Sequence, residues 1–276
     1  MSRILKVWLS TSIVLLLSVS AFAKPHPKPV SDVPKAQKYI DRAWELEKTG
    51  ATPEIFKQCI ELMEKANQAD PQNPMILVDL ARYYWSYGNE LPKETEEQQQ
   101  KLEEIYGKGL EYAERSLELE ETAAAHYWVA VNKAAGKEFS SVISQAAAFP
   151  AIYGHSEDTK KIDPDYDYGA PGRLWSEILT RVPKLAVKMV GWDVNEAVAE
   201  INTAIEKHPH YIENYVYKAR FYYNYFEDKQ KALDILEKGL AIDPCSMPEA
   251  EATNRIAIKD GKKLWKKITG KEYPDK

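Results

Sequence analysis

The sequence predicts an all-α solenoid of about four to five helix pairs, closed by a C-terminal capping helix. Three observations carry that prediction. A pattern of small residues ending in proline recurs along the chain, an aromatic stripe recurs just after two of those prolines, and the composition is near the globular average, with 44% apolar and 29% charged residues in 276. Such a composition argues against wholesale disorder and against fibrous structure.

The repeat is visible without gaps in four segments: Cys59–Pro71, Gly109–Glu121, Ala197–Pro209 and Ala232–Pro244. Each opens with a small residue, and seven positions on stands another: Ala66, Ser116, Ala204 and Gly239. Seven residues make about two helical turns, so both small side chains share a face and let a neighbouring helix approach closely. Met63, Ala113, Ile201 and Leu236 lie between them. Three of the four segments end in proline, which stops a helix.

The elements follow in chain order. Residues 1–23 read as a secretory signal, with Arg3 and Lys6, an apolar run from Val7 to Leu17, and Ala21-Phe22-Ala23 as a small-x-small cleavage site. The alternative is a retained anchor. Val7 to Ala23 is broken by five Ser and Thr residues and is short for a ~30 Å hydrocarbon core. Residues 24–33 read as a Pro-rich flexible linker, 34–245 as the solenoid, 246–268 as the capping helix and 269–276 as a tail. The stretch Glu94–Glu104 reads as a charged insertion that lengthens a helix on a solvated face. Asp163-Pro164 closes a degenerate unit. Gly169 and Pro171 punctuate a turn, and Asp193 reads as an N-cap with Glu196 completing a capping box.

The second motif sits on predicted first helices. Ala81-Arg82-Tyr83-Tyr84-Trp85-Ser86-Tyr87 matches Ala219-Arg220-Phe221-Tyr222-Tyr223-Asn224-Tyr225. Leu77 and Tyr215 precede the alanines by four residues, and Tyr84 and Tyr222 follow them by three. Large, small and aromatic residues at i, i+4 and i+7 form one packing stripe.

With these residues the chain resembles the tetratricopeptide repeat (TPR) family. The last unit matches best, through Tyr215, Ala219, Tyr222, Ala232, Leu236, Gly239 and Pro244. Pro209 to Pro244 spans 35 residues, against a family period of about 34. The region from about Ala123 to Pro244 is similar to the TatT family of periplasmic TPR-like proteins associated with tripartite ATP-independent periplasmic (TRAP) transporters. The similarity rests on Asp163-Pro164, Tyr166 and Tyr168, Gly169-Ala170-Pro171-Gly172-Arg173, and Gly191-Trp192-Asp193. Ala170 and Trp192 stand where that family has glycine, and the lipid-anchoring cysteine of some members is missing.

The resemblance implies that the first helices line a concave groove. Arg82 and Trp85 then share groove-facing positions with Arg220 and Tyr223, Tyr and Trp being hot-spot residues together with Arg. For these four, core packing is the competing reading; for Tyr84 and Tyr222 packing is expected outright. His126 and Trp128 sit on an Ala-rich helix as packed or groove-lining residues. Arg173 either bonds loop carbonyls or meets an anion.

Charge and motifs exclude several functions. The formal net charge is −5, and removal of the signal takes away two bases and no acids, which argues against nucleic acid as the main partner. The cluster Lys259, Lys262, Lys263, Lys266, Lys267 and Lys271 reads as the wet face of the terminal helix, the alternative being an anion or membrane-surface site. No spacing of a catalytic triad, Walker loop, EF-hand or zinc site occurs. His208 and His210 flank Pro209 in a loop without a third metal ligand. Cys59 reads as a buried small hydrophobe, and a Cys59–Cys245 bridge is not expected. The expectation is a non-enzymatic periplasmic interaction protein without metal or cofactor. Its partner is another periplasmic protein, such as the solute-binding component of a TRAP-type transporter. The alternative is a small-molecule binder with a Tyr/Trp-lined cavity for an organic ligand. A homo-oligomer is compatible with either.

Overall fold

Proline opens the first three helices, α1 (Pro34–Glu47), α2 (Pro53–Ala69) and α3 (Pro74–Asn89). There its missing N–H costs nothing, because a helix start leaves that donor unpaired. The structure, a computed structural model, describes residues 26–182 and 184–274. The secretory signal expected at 1–23 lies outside the described residues. Among the described residues no helix is long and apolar enough to cross a membrane.

The remaining helices are α4 (Glu96–Leu119), α5 (Ala123–Ala135), α6 (Val142–Ile162), α7 (Ala170–Arg181), the short α8 (Lys184–Val190), α9 (Val194–Lys207), α10 (Ile212–Phe221), α11 (Lys229–Leu240) and α12 (Glu251–Thr269). Polar caps set many of the starts. Thr52, Asn73, Thr95, Thr122, Ser141, Asp193 and Asp228 each accept a backbone N–H from the first turn, at about 1 kcal/mol apiece. Asp193 caps α9 as expected, through Asn195 N at 2.8 Å. Glu196 does not complete a capping box, because its carboxylate pairs with Lys160 on α6.

Consecutive helices pack as antiparallel pairs: α1 with α2, α3 with α4, α5 with α6, α7 with α9 across the inserted α8, and α10 with α11. First helices also touch first helices, α3 on α5 and α7 on α10, and α12 closes the last pair. The repeat explains the close approach. Ala66, Ser116 and Ala204 are buried, and a Cβ at Gly239 would stand 2.6 Å from Tyr215 Cβ. The three larger apolar clusters run along the array. The first lies around Ile40, Met63 and Leu80, the second around Val129, Trp175 and Leu179, and the third around Val216, Leu236 and Leu264.

The charged insertion is helical, as expected, and forms the start of the 24-residue α4. Two expectations change in detail. The capping helix begins at Glu251, because residues 244–250 form two 3₁₀ turns; Pro248 drives Met247 out of the helical region. The wholly buried tyrosine of the first aromatic motif is Tyr83, whereas Tyr84 and Tyr222 are half-buried. Tyr84 lies at a helix seam, stacked on Tyr112 and donating to Glu64 at 2.9 Å.

The Pro-rich stretch expected as a flexible linker is placed differently from that reading. Its described part, 26–33, lies against the array. Lys28 pairs with Asp41 at 2.8 Å, Asn73 Nδ2 donates to the Val30 carbonyl at 2.8 Å, and Ser31 Oγ donates to Asp70 at 2.6 Å. The prolines favour extended backbone, which leaves carbonyls and side chains free to bond neighbouring helices.

Candidate interaction groove

The first helices carry the charged and aromatic side chains that face one another along the array. α1 contributes Trp44 and Glu47, α3 contributes Asp79, Arg82 and Trp85, and α5 contributes Tyr127 and Trp128. α7 contributes Arg173, Glu177 and Arg181, and α10 contributes Glu213, Tyr217 and Arg220. Helical spacing places Asp79 and Arg82 one turn apart on α3, so both serve one site.

At the N-terminal end Asp79 is fully buried. It accepts from Trp44 Nε1 at 2.6 Å and from Arg82 Nε at 3.1 Å. Arg82 also donates through both terminal nitrogens to Glu47, and Tyr83 OH donates to the same carboxylate at 2.9 Å. The guanidinium carbon lies 5.4 Å from the Trp44 ring and 4.2 Å from the Tyr83 ring. Burial works to raise the Asp79 carboxyl, but Arg82 and His26 outweigh it and hold it below the usual carboxylate range.

His26, outside the repeats, completes this end. Its Nε2 lies 2.6 Å from Asp79 Oδ1 and its Nδ1 2.8 Å from Tyr166 OH. Trp44 is parallel to the imidazole at 6.3 Å, while Trp128 and Tyr166 present edges at 6.4 Å and 6.3 Å.

In the middle, Trp85 meets Trp128 edge-on at 5.7 Å, and Trp128 meets Tyr127 at 5.2 Å. His126 is buried beneath this row, with Nδ1 2.8 Å from His155 Nδ1 on α6 and Nε2 3.3 Å from Glu121. Burial, with His126 and Lys133 nearby, holds His155 below the ordinary histidine range.

Toward the C-terminal end Arg173 is buried and committed to loop and helix partners. It donates to the Asp167 carbonyl and carboxylate at 2.8 Å each, to the Tyr168 carbonyl at 3.3 Å and to Asn214 Oδ1 at 2.8 Å. Glu213 lies 3.3 Å from its Nε. Burial raises the Glu213 carboxyl even beside Arg173. Further along, Glu177 takes Arg181 at 3.0 Å and Arg220 at 3.4 Å. Burial works to raise Glu177 too, but the two arginines prevail and lower it.

The structure thus brings together Arg82, Trp85 and Trp128 of the residues expected from sequence, and places Arg220 in a second ion cluster. Tyr223 lies elsewhere, against the C-terminal apolar cluster and 5.6 Å from Lys267 Nζ on α12. Sequence reasoning missed Asp79, Trp44, Glu47, Glu177 and the role of His26. A signal for Asp79 was present: it is the lone acid in the run Met75–Ala81. Among the described residues no cluster of three or more His, Cys, Asp or Glu has metal-holding geometry. Cys59 is a buried free thiol and Cys245 an exposed one.

The family described as Regulator of microtubule dynamics protein 1-3 matches residues 39–168, just under half of the chain. The match runs from α1 to the turn before Arg173. No curated protein matches. Among solved structures, the thermophilic TPR protein TTC0263 of Thermus thermophilus is similar at TM-score 0.57 and 15% identity, over 81% of this chain and 99% of that one. YrrB, a TPR protein with an unusual peptide-binding site, is similar at TM-score 0.36 and 17% identity, over 80% of this chain and 91% of that one. Helix pairing, repeat spacing and the likeness to TTC0263 agree, and the chain has a TPR-like all-helical fold.

Proposed function

We propose that this protein is a non-enzymatic interaction module whose groove takes an extended segment of another protein. The observation that supports it most is the strip of half-buried Tyr, Trp and Arg on successive first helices, already met at one end by the His26 side chain of the chain itself. Aromatic and guanidinium groups combine large contact area with directed bonds, as recognition surfaces require. The charged groups in the strip are paired with one another, and none is arranged as a nucleophile with its base.

The exported-protein reading and the TatT resemblance narrow the proposal. The compartment is the periplasm, and the partner is the solute-binding component of a TRAP-type transporter. The alternative, a small-molecule binder, gains less support. The surface depressions along α12 and between α4 and α5 are lined mainly by Lys, Arg, Glu and Gln rather than by Tyr and Trp.

Native mass spectrometry of the protein isolated gently from its own cells tests the proposal. It reports processing, oligomer size and retained companions together. A co-isolated solute-binding protein supports the narrow reading, and another protein supports the module alone. A bound small mass without protein moves the assignment to the alternative, and a bare monomer contradicts the proposal.

A further inference from the structure

We infer that the Asp79 end of the groove is a seat for a basic side chain, held in cis by His26, and that the partner segment presents such a side chain there. This inference rests on the groove reading above and names what the groove selects.

Charge carries the first part of the argument. Two carboxylates, the fully buried Asp79 and the partly exposed Glu47, face a single guanidinium, Arg82, within one cluster. The cluster is short of one positive charge, and a buried charge is strongly disfavoured unless compensated. An occupant carrying a proton donor and a positive charge beside Asp79 Oδ1 removes that imbalance. His26 fills this place, with its ring held between Trp44 and the edges of Trp128 and Tyr166. Of these three rings only Trp44 lies parallel to the imidazole, the orientation in which a ring face attracts a flat cation.

The fit of the cis occupant is incomplete. Trp128 Nε1 is buried, and its one polar neighbour, the Tyr166 hydroxyl, does not meet it at full hydrogen-bond geometry. A buried donor left unpaired is costly. A partner segment that brings a basic side chain to Asp79 and a carbonyl oxygen to Trp128 makes one bond more than the strap does. The extended strap of residues 26–33 is held by polar contacts of Lys28 to Asp41 within α1, and of Val30 and Ser31 to Asn73 and Asp70 in the loop between α2 and α3. These contacts hold residues 28–31 beside the seat without involving His26, so exchange at the seat needs the His26 side chain to leave while they stay.

The experiment uses the full chain carrying His26→Ala, with imidazole and methylguanidinium as probes and toluene as the uncharged ring control. Tryptophan emission reports occupancy, because Trp44 and Trp128 wall the seat. The expected result is a saturable emission change with both cations in His26→Ala and none in the parent chain. Adding Asp79→Asn to His26→Ala should weaken binding about tenfold or more, as for loss of one bond to a charged group. Tyr166→Phe, which removes only one hydroxyl, is the second variant should Asp79→Asn unfold the chain, and it should weaken imidazole more than methylguanidinium. Equal responses to toluene and the cations, or no saturable response in His26→Ala, overturn the seat. If partner capture persists in that case, the groove reading stands while the seat falls; loss of capture with intact cation binding is the reverse.

Discussion

Arg173 and Asn214, 41 residues apart, meet through Nη1 and Oδ1 at 2.8 Å, and both side chains grip the same carbonyl, that of Tyr168. That carbonyl belongs to a turn in which Asp167, Tyr168 and Gly169 all have left-handed backbone, with φ of 44°, 56° and 96°. Left-handed backbone at a residue other than glycine costs roughly 1–3 kcal/mol and persists only when its surroundings hold it. The Arg173–Asn214 grip supplies that hold and links α7 to α10.

Arg173→Ala should therefore lower unfolding stability by about 3–5 kcal/mol, since it strands buried acceptors and the Asp167 and Glu213 carboxylates. Asn214→Ala should cost about 1–3 kcal/mol. The double variant should cost less than the sum, because both act on one carbonyl. Urea unfolding with unchanged slope checks all three, and strict additivity would contradict a shared grip.

Glycines divide by what surrounds them. Gly239→Ala forces a methyl against Tyr215 and should destabilise by about 1–3 kcal/mol. Gly107→Ala, inside α4 with nothing within 4 Å, should stabilise by about 0.5–1 kcal/mol. Paired thermal melts give opposite signs if the packing described holds.

The contact between buried His126 and half-buried His155 predicts an acid-sensitive step. His155 is held below its unfolded value, so the unfolded chain binds the proton first as pH falls. Its contribution is complete above the unfolded value of about 6.5 and is lost as pH drops toward the folded one. The depressed carboxylates Asp79 and Glu177 lose their contribution only in a more acidic window, beginning below about 4. His155→Gln should flatten the melting temperature between pH 7 and 5 while leaving the more acidic loss in place. An unchanged slope would remove the pair as its cause.

The two thiols should separate by access. Burial pushes the Cys59 thiol up to about 12, and only a thiolate reacts readily. Ellman's reagent should report one thiol, Cys245, in the folded chain and two in denaturant. Two fast thiols in the folded chain would contradict the packing of α1 on α2.

Much of the fold was legible because helix pairing is written in local spacing. Small residues seven apart, prolines after the repeats and the Tyr215–Gly239 match each report one helix face meeting the next. The groove was less legible. Arg82 and Arg220 fall on first helices as the register required, yet each is tied to acids that sequence spacing could not assign, Glu47 lying 35 residues from Arg82 and Glu177 43 from Arg220. Tyr223 shares Trp85's register but sits near the capping helix, because α10 ends in a π turn at Tyr222–Phe226 that α3 lacks. His26 carried no periodic signal at all, since its role depends on where an extended strap crosses three helices.

Photo-crosslinking separates the groove from the outer face as the place where a partner binds. A photoreactive amino acid replaces Trp85 or Arg220 on the first helices, or the exposed Lys108 on the outer helix α4. The predicted result is one protein partner crosslinked from both groove positions and not from Lys108, with the crosslink mapping to an extended segment near a basic residue. Equal crosslinking from Lys108, or none from either groove position while the partner remains bound, would contradict the assignment of the groove.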